Sequence, residues 1–125
     1  MKFYSRRLIK HEDLNPAERL FGGRLLAWID EEAAIYAACQ MDAKRIVTKY
    51  MSEINFVAPA HLGDVIEFGL QVTAMGRTSM TIRCMVRIKD NKTTIIVVDK
   101  IVFVCVDEQG RPTSHGLASD ASLAA

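Results

Sequence analysis

Cysteine is scarce in this chain: three residues, Cys39, Cys84 and Cys105, odd in number and far apart. No C-x-x-C pair occurs and no Cys/His set has zinc-ligand spacing, so neither a disulfide framework nor a metal site is expected. Each cysteine lies in an apolar stretch and reads as a small core residue. A chain of free thiols suits a reducing cytosol. Long apolar runs are missing as well. None reaches the roughly 18 residues needed to span a bilayer, and the first residues lack the apolar segment of a secretory leader. The expectation is a soluble, cytoplasmic protein with no membrane partner. An excess of one charge is also absent. Sixteen basic and fifteen acidic residues leave a net charge of +1, which argues against a dedicated nucleic-acid or membrane-surface binder. Lys2, Arg6, Arg7 and Lys10 cluster near the start and read as a solvated strand face, with a local phosphate contact as the alternative. Histidine is limited to His11, His61 and His115. None has a Ser or Cys placed beside it as a nucleophile–base pair, so a triad mechanism is not expected.

What is present is apolar material. Half of the 125 residues are hydrophobic, enough for one core. A chain of this length buries only about two-thirds of its unfolded surface alone, so oligomerisation is a plausible source of further burial. No internal repeat or linker divides it. One domain over residues 1–112 is expected, followed by a flexible tail at 113–125 that is rich in Ser, Ala and Gly.

Phe3 to Ile9 reads as a strand, and His11 to Arg19, with Asp13, Asn15 and Pro16, as a loop. Gly22-Gly23 opens the one long helix, from Gly23 to about Gln40, about 27 Å at 1.5 Å per residue. Leu25, Leu26, Ile29, Ala33, Ile35, Tyr36, Ala37 and Ala38 cover most of its surface, and a helix apolar nearly all round is expected to be buried. From Ile46 the period becomes two. Ile46 to Val57 is rich in strand formers, and Pro59 to Gly63 makes a turn. Ile66, Phe68, Leu70, Val72 and Ala74 then alternate with polar or small residues. After the tight turn at Gly76-Arg77, Met80, Ile82, Cys84, Val86 and Ile88 do the same. Asp90-Asn91-Lys92 leads into a long strand from Thr93 to Val106, apolar on both faces in places and therefore expected to be central or at an interface. Short turns favour antiparallel pairing. The arrangement that satisfies every face is α+β: an antiparallel, curved sheet of about five strands wrapped around one long helix. Another α+β sandwich is the competitor on pattern alone.

The segment Asp13-Leu14-Asn15-Pro16-Ala17-Glu18-Arg19-Leu20-Phe21-Gly22-Gly23, running on to Trp28-Ile29-Asp30-Glu31, resembles the Asn-x5-Phe-Gly-Gly run and helix-borne Asp of the hotdog-fold acyl-CoA thioesterases. Those enzymes also carry a Gly-Arg-Thr-Ser turn, matched by Gly76-Arg77-Thr78-Ser79, and a Pro-x-x-x-Gly-Asp strand start, matched by Pro59 to Asp64. The resemblance covers about residues 3 to 110. It implies a hotdog fold that hydrolyses acyl-CoA, with coenzyme A entering only as part of substrate and product and no cofactor. It also implies a homo-oligomer, a dimer of hotdogs assembling further as a trimer of dimers. Many relatives have Gly at the position of Glu18, a departure that bears on the loop and on acyl preference.

Thioester hydrolysis needs a polarised carbonyl, an activated water and a place for the oxyanion. The amides of Gly22 and Gly23 at the helix start, with about half a positive charge from the macrodipole, suit the oxyanion; the bland reading is tight loop-to-helix packing. Asp30 sits two turns into an apolar helix, where a carboxylate is costly unless paired or hydrated. The resemblance assigns it the water-activating role; an exposed acid at a gap in the apolar surface is the other reading. Asn15 precedes the helix and cannot reach Asp30 by helical spacing. The resemblance implies that the Asn and Asp of one site come from different subunits, whereas Asn-Pro is also a common turn. Arg77, Thr78 and Ser79, with Gly76, offer a cation and hydroxyls for phosphate. By resemblance they touch the nucleotide or pantetheine of coenzyme A, and otherwise they form a hairpin turn with a solvated Arg. A non-catalytic acyl-CoA sensor and a hydratase, which commonly uses a helix-borne His absent here, are the rival functions.

Overall fold

The structure, a computed structural model, describes residues 1–41, 43 and 45–117. The chain runs β1 (Lys2–Leu8), α1 (Gly22–Met41), β2 (Ile46–Met51), β3 (Ile54–Phe56), β4 (Val65–Met75), β5 (Ser79–Ile88) and β6 (Thr94–Cys105), with a 3-10 turn at His11–Asp13 before α1. The strands form one sheet in the order β1-β4-β5-β6-β2, and β3 also pairs with β6. Every pairing is antiparallel. No helix among the described residues is long and apolar enough to cross a membrane.

The period-two pattern does what its chemistry demands. Phe68 pairs with Val86 and Leu70 with Cys84 across β4 and β5. Cys84 then pairs with Val98, and Val86 with Ile96, across β5 and β6. These side chains are all buried on one face. The helix crosses that face on Leu25, Ile29, Ala33, Ala37 and Met41, a repeat of four that keeps one stripe toward the sheet. Ala33 and Ala37 are wholly buried, and their small size lets the helix sit close. The long strand β6 is indeed interior, flanked by β5 on one side and by β2 and β3 on the other.

The structure refines the strand count and corrects two expectations, on the burial of the helix and of Cys39. The sheet has six strands rather than about five, because Ile46 to Val57 is interrupted at Ser52 and Glu53. The register on β6 continues across the break, from Met51↔Ile101 to Ile54↔Val98. The helix is not buried all round. Ile35 is 56% exposed and Phe21, just before the first turn, 53%, so an apolar outer face is left uncovered in a single chain. Cys39 is exposed on that helix, while Cys84 and Cys105 are buried as expected. Past β6, where the tail is expected at 113–125, Asp107 Oδ1 accepts from the Gln109 and Arg111 amides, and this turn sends the chain back along β6. There Thr113 N–H donates to the Cys105 carbonyl and His115 is buried. The remaining tail, 118–125, lies outside the described residues.

One buried charge sits on β4. Glu67 is 3% exposed; its carboxylate takes a hydrogen bond from Lys92 at 3.2 Å and lies 3.5 Å from Arg87. Burial alone would raise its pKa, but the Lys92 hydrogen bond and the charges of Lys92, Arg87 and Arg6 outweigh that and hold it below the usual carboxylate range. A carboxyl depressed in the folded state contributes stability that is complete above its unfolded pKa and is lost as pH falls through the folded one. Glu67→Gln is therefore expected to lower Tm at neutral pH and to show a shallower loss of Tm on acidification than the wild type. Parallel acid limbs in thermal melts would refute that assignment.

Candidate active site

The loop before the helix is a miniature hairpin. Leu14 bridges Leu20, and the Phe21 amide donates to the Asp13 carbonyl at 2.9 Å. Asp13 is buried and anchored to Arg24 of the first helical turn at 3.5 Å. Asn15 sits at the tip. Its Oδ1 accepts from the amides of Ala17 at 2.9 Å and Arg19 at 3.2 Å. Two N–H donors on one atom fix the amide orientation. The turn role is therefore realised through Oδ1, while Nδ2, with no partner among the described residues, is free to donate.

Glu18 closes this tip at φ +61°, the left-handed region that costs an L-residue about 1–2 kcal/mol. Glu18→Gly is expected to leave Tm unchanged or raise it by a degree or two, whereas Glu18→Val lowers it. A clear loss of Tm in the glycine variant would contradict this.

The helix begins with the Leu25 amide donating to the Phe21 carbonyl at 3.1 Å. The amides of Gly22, Gly23 and Arg24 thus precede the first helical bond, and no acceptor is found for them among the described residues. Glycine at both of the first positions leaves room for two exposed aromatic rings. A Cβ on Gly22 would lie 3.2 Å from the Phe56 ring, and one on Gly23 2.9 Å from the Phe21 ring. Packing and amide presentation thus coexist. Asn15, Gly22, Leu25, Phe56, Ala60 and Ile95 line one cavity of about 450 Å³, mostly apolar, with a side-chain amide and a helix N-terminus at its wall. It suits an acyl group with its carbonyl oxygen toward N–H donors.

Asp30 is absent from that cavity. It lies eight residues further along the helix, about 12 Å, on the side facing β2. Thr48 Oγ1 donates to its Oδ1 at 2.8 Å. Oδ2 has no protein partner among the described residues and is open to a water. Asp30 is half-buried rather than enclosed, so its environment within one chain is a partly wet groove between helix and edge strand. Thr48 was not among the sequence candidates. It stands eighteen positions from Asp30, and only the pairing of β2 with β6 brings it there.

The turn Gly76–Ser79 lies at the far end of the sheet. The Thr78 carbonyl accepts from Cys105 at the end of β6, whereas the cavity is lined by Ile95 near its start, about 30 Å away along a strand. One chain therefore brings Asn15 together with Gly22, and Asp30 with Thr48. It does not bring the Asn15 set to the turn, whereas Thr48 pairs with Phe103 opposite Met80, so the Asp30–Thr48 pair lies at the turn's end of the sheet. Cys84 offers no nucleophile: burial, with the charge of Glu32, pushes its thiol up to about 12.

A profile of the thioesterase superfamily matches residues 18–95. An uncharacterised acyl-CoA thioester hydrolase of Zymomonas mobilis is 35% identical over 101 residues, 78% of this chain and 67% of its own length. An acyl-CoA hydrolase of Staphylococcus aureus, solved with butyryl-coenzyme A and coenzyme A, superposes with a TM-score of 0.79 at 31% identity, over 88% of this chain and 66% of that one. A hexameric thioesterase from Yersinia pestis superposes at 0.84 with 27% identity, over 95% and 97% of the two chains. The chain thus spans about two thirds of the length of the first two and nearly all of the third.

Proposed function

The chain belongs to the thioesterase superfamily, with a hotdog fold, and on that premise we propose that it hydrolyses acyl-CoA thioesters at sites each completed by two subunits. The observation that carries the reading is the set Asn15, Asp30 and Thr48. The S. aureus hydrolase was solved with an aspartate, an asparagine and a threonine each replaced by alanine. Its Asn and Asp are fifteen positions apart, as Asn15 and Asp30 are, and its Thr follows the Asp by seventeen, one fewer than Thr48 follows Asp30.

In this reading the acyl carbonyl oxygen enters the cavity of one subunit, toward Asn15 Nδ2 and the Gly22 and Gly23 amides. Asp30 of the second subunit, oriented by its own Thr48, takes a proton from water as the water oxygen attacks the carbonyl carbon. Negative charge collects on the carbonyl oxygen, where the donors and helix dipole stabilise it. The C–S bond then breaks, releasing the fatty acid and the coenzyme A thiolate, a good leaving group that needs little acid assistance. Arg77, Thr78 and Ser79, with Gly76, hold the nucleotide or pantetheine end. The second subunit would pair at β2, an edge strand whose Val47 and Tyr50 are about half exposed; an uncovered apolar edge is a template for pairing. A trimer of such dimers fits the hexameric relatives.

The test is thiol release from short-, medium- and long-chain acyl-CoAs. Turnover supports the reading, and tight coenzyme A binding without thiol release would replace it with an acyl-CoA sensor. Within this scheme Thr48→Val is expected to lower kcat about tenfold with little change in KM, one hydrogen bond to a charged group being about 1.5 kcal/mol. Unchanged kcat would remove Thr48 from the site.

A further inference from the structure

The turn Gly76–Ser79 is tied down by a residue outside the hairpin. His115 Nδ1 accepts from the Leu117 amide at 3.1 Å, which leaves the ring proton on Nε2. Nε2 lies 2.5 Å from the Gly76 carbonyl and 3.2 Å from that of Ser79. The His115 amide donates to the Arg77 carbonyl at 3.2 Å, and the Cys105 amide to that of Thr78 at 2.8 Å. All four carbonyls of the turn are thereby occupied. The Gly76 N–H closes the turn on the Ser79 carbonyl at 3.0 Å, and the imidazole N–H of His115 bridges that carbonyl to the Gly76 carbonyl. A Cβ on Gly76 would come 2.6 Å from Ser79 Oγ, so a larger residue there would displace that hydroxyl.

Carbonyl oxygens are the negative ends of the peptide dipoles. With these carbonyls engaged, the turn carries the exposed Arg77 side chain, the part-buried Thr78 and Ser79 hydroxyls and the Arg77 and Thr78 amides, for which no acceptor is found among the described residues. That is the chemistry of a phosphate-holding turn. We propose that His115 is a positioning residue for the nucleotide phosphates of coenzyme A, acting through the shape of the turn it brackets. This rests on the reading that the turn contacts coenzyme A. It assigns the returning segment 113–117 to substrate recognition rather than to a loose tail.

The experiment compares an acyl-CoA with the corresponding acyl-pantetheine, which lacks the nucleotide phosphates, across His115→Ala, His115→Gln, Arg77→Ala and the double variant His115→Ala/Arg77→Ala. His115→Ala should raise KM for acyl-CoA about tenfold, leave its kcat unchanged, and leave acyl-pantetheine turnover unchanged. Its effect should largely vanish when Arg77 is already alanine. The glutamine, which keeps an N–H donor, should recover part of the loss and serves if the alanine variant does not fold. A KM that does not move, or an equal loss with both substrates, would overturn the role of His115 while an Arg77→Ala effect on acyl-CoA still upheld the turn as a coenzyme A contact. No effect of Arg77→Ala on acyl-CoA would overturn both.

Discussion

Replacing Asp30 by Asn is expected to cut kcat by about 100- to 10,000-fold, the range a positioned general base contributes, with assembly and Tm intact. The substitution is close to isosteric. Thr48 Oγ1, which donates to Asp30 Oδ1 at 2.8 Å, can donate equally to an amide oxygen, so the side chain stays where it is. What is lost is the ability to take a proton from water. Fold stability is little at risk because Asp30 is half-buried and makes no ion pair among the described residues. On the proposed reading KM should hold, since Asp30 does not line the cavity taken for the acyl group. An Asn variant within a few-fold of wild-type kcat would show that another group activates the water.

The second large effect is recovery of activity from two dead proteins. On the proposed reading Asn15→Ala removes a donor at the cavity, and Asp30→Ala removes the base. If one site takes Asn15 from one subunit and Asp30 from the other, each mixed dimer holds one intact site and one doubly defective site. Random reassembly at equal amounts makes half of the dimers mixed, so about one quarter of wild-type activity should return. The geometry motivates the number. Asn15 shares a cavity with Gly22, and Asp30 does not line it. Mass spectrometry that confirms mixed dimers beside an assay at background would mean that each site is built within one chain.

The strands from Ile66 to Val106 were legible because burial on one face imposes period two, which holds from Ile66 to Leu70 and through Met80, Ile82, Cys84 and Val86 and fails at Ala74, exposed just past a register shift in β4. The long helix was legible for the same reason, with Gly22-Gly23 marking its start within one residue. Its outer face was misread. Apolar residues such as Ile35 look alike whether covered by the same chain or awaiting another, and sequence periodicity has no coordinate for the second chain. Asp30 stood out as a carboxylate in an otherwise apolar helix, whereas Asn15, Gly22 and Gly23 were singled out only by the resemblance, since an Asn-Pro turn and a glycine pair at a helix start are ordinary by pattern alone. Thr48 did not, since a hydroxyl on an edge strand is ordinary and its partner arrives only through the sheet. His115 was hidden among Ser, Ala and Gly, a composition that suggests disorder. Nothing local announces that a turn nearly forty residues earlier offers it two carbonyls.

The central claim is that a working site needs two subunits, and specific activity against protein concentration tests it most directly. Thiol release per chain would be followed as the protein is diluted until the assembly dissociates, with molecular mass read at the same concentrations. The account predicts that activity falls in step with the population of dimers and vanishes with them, even when further association of dimers has already been lost. Single chains turning over acyl-CoA at the full rate would contradict it.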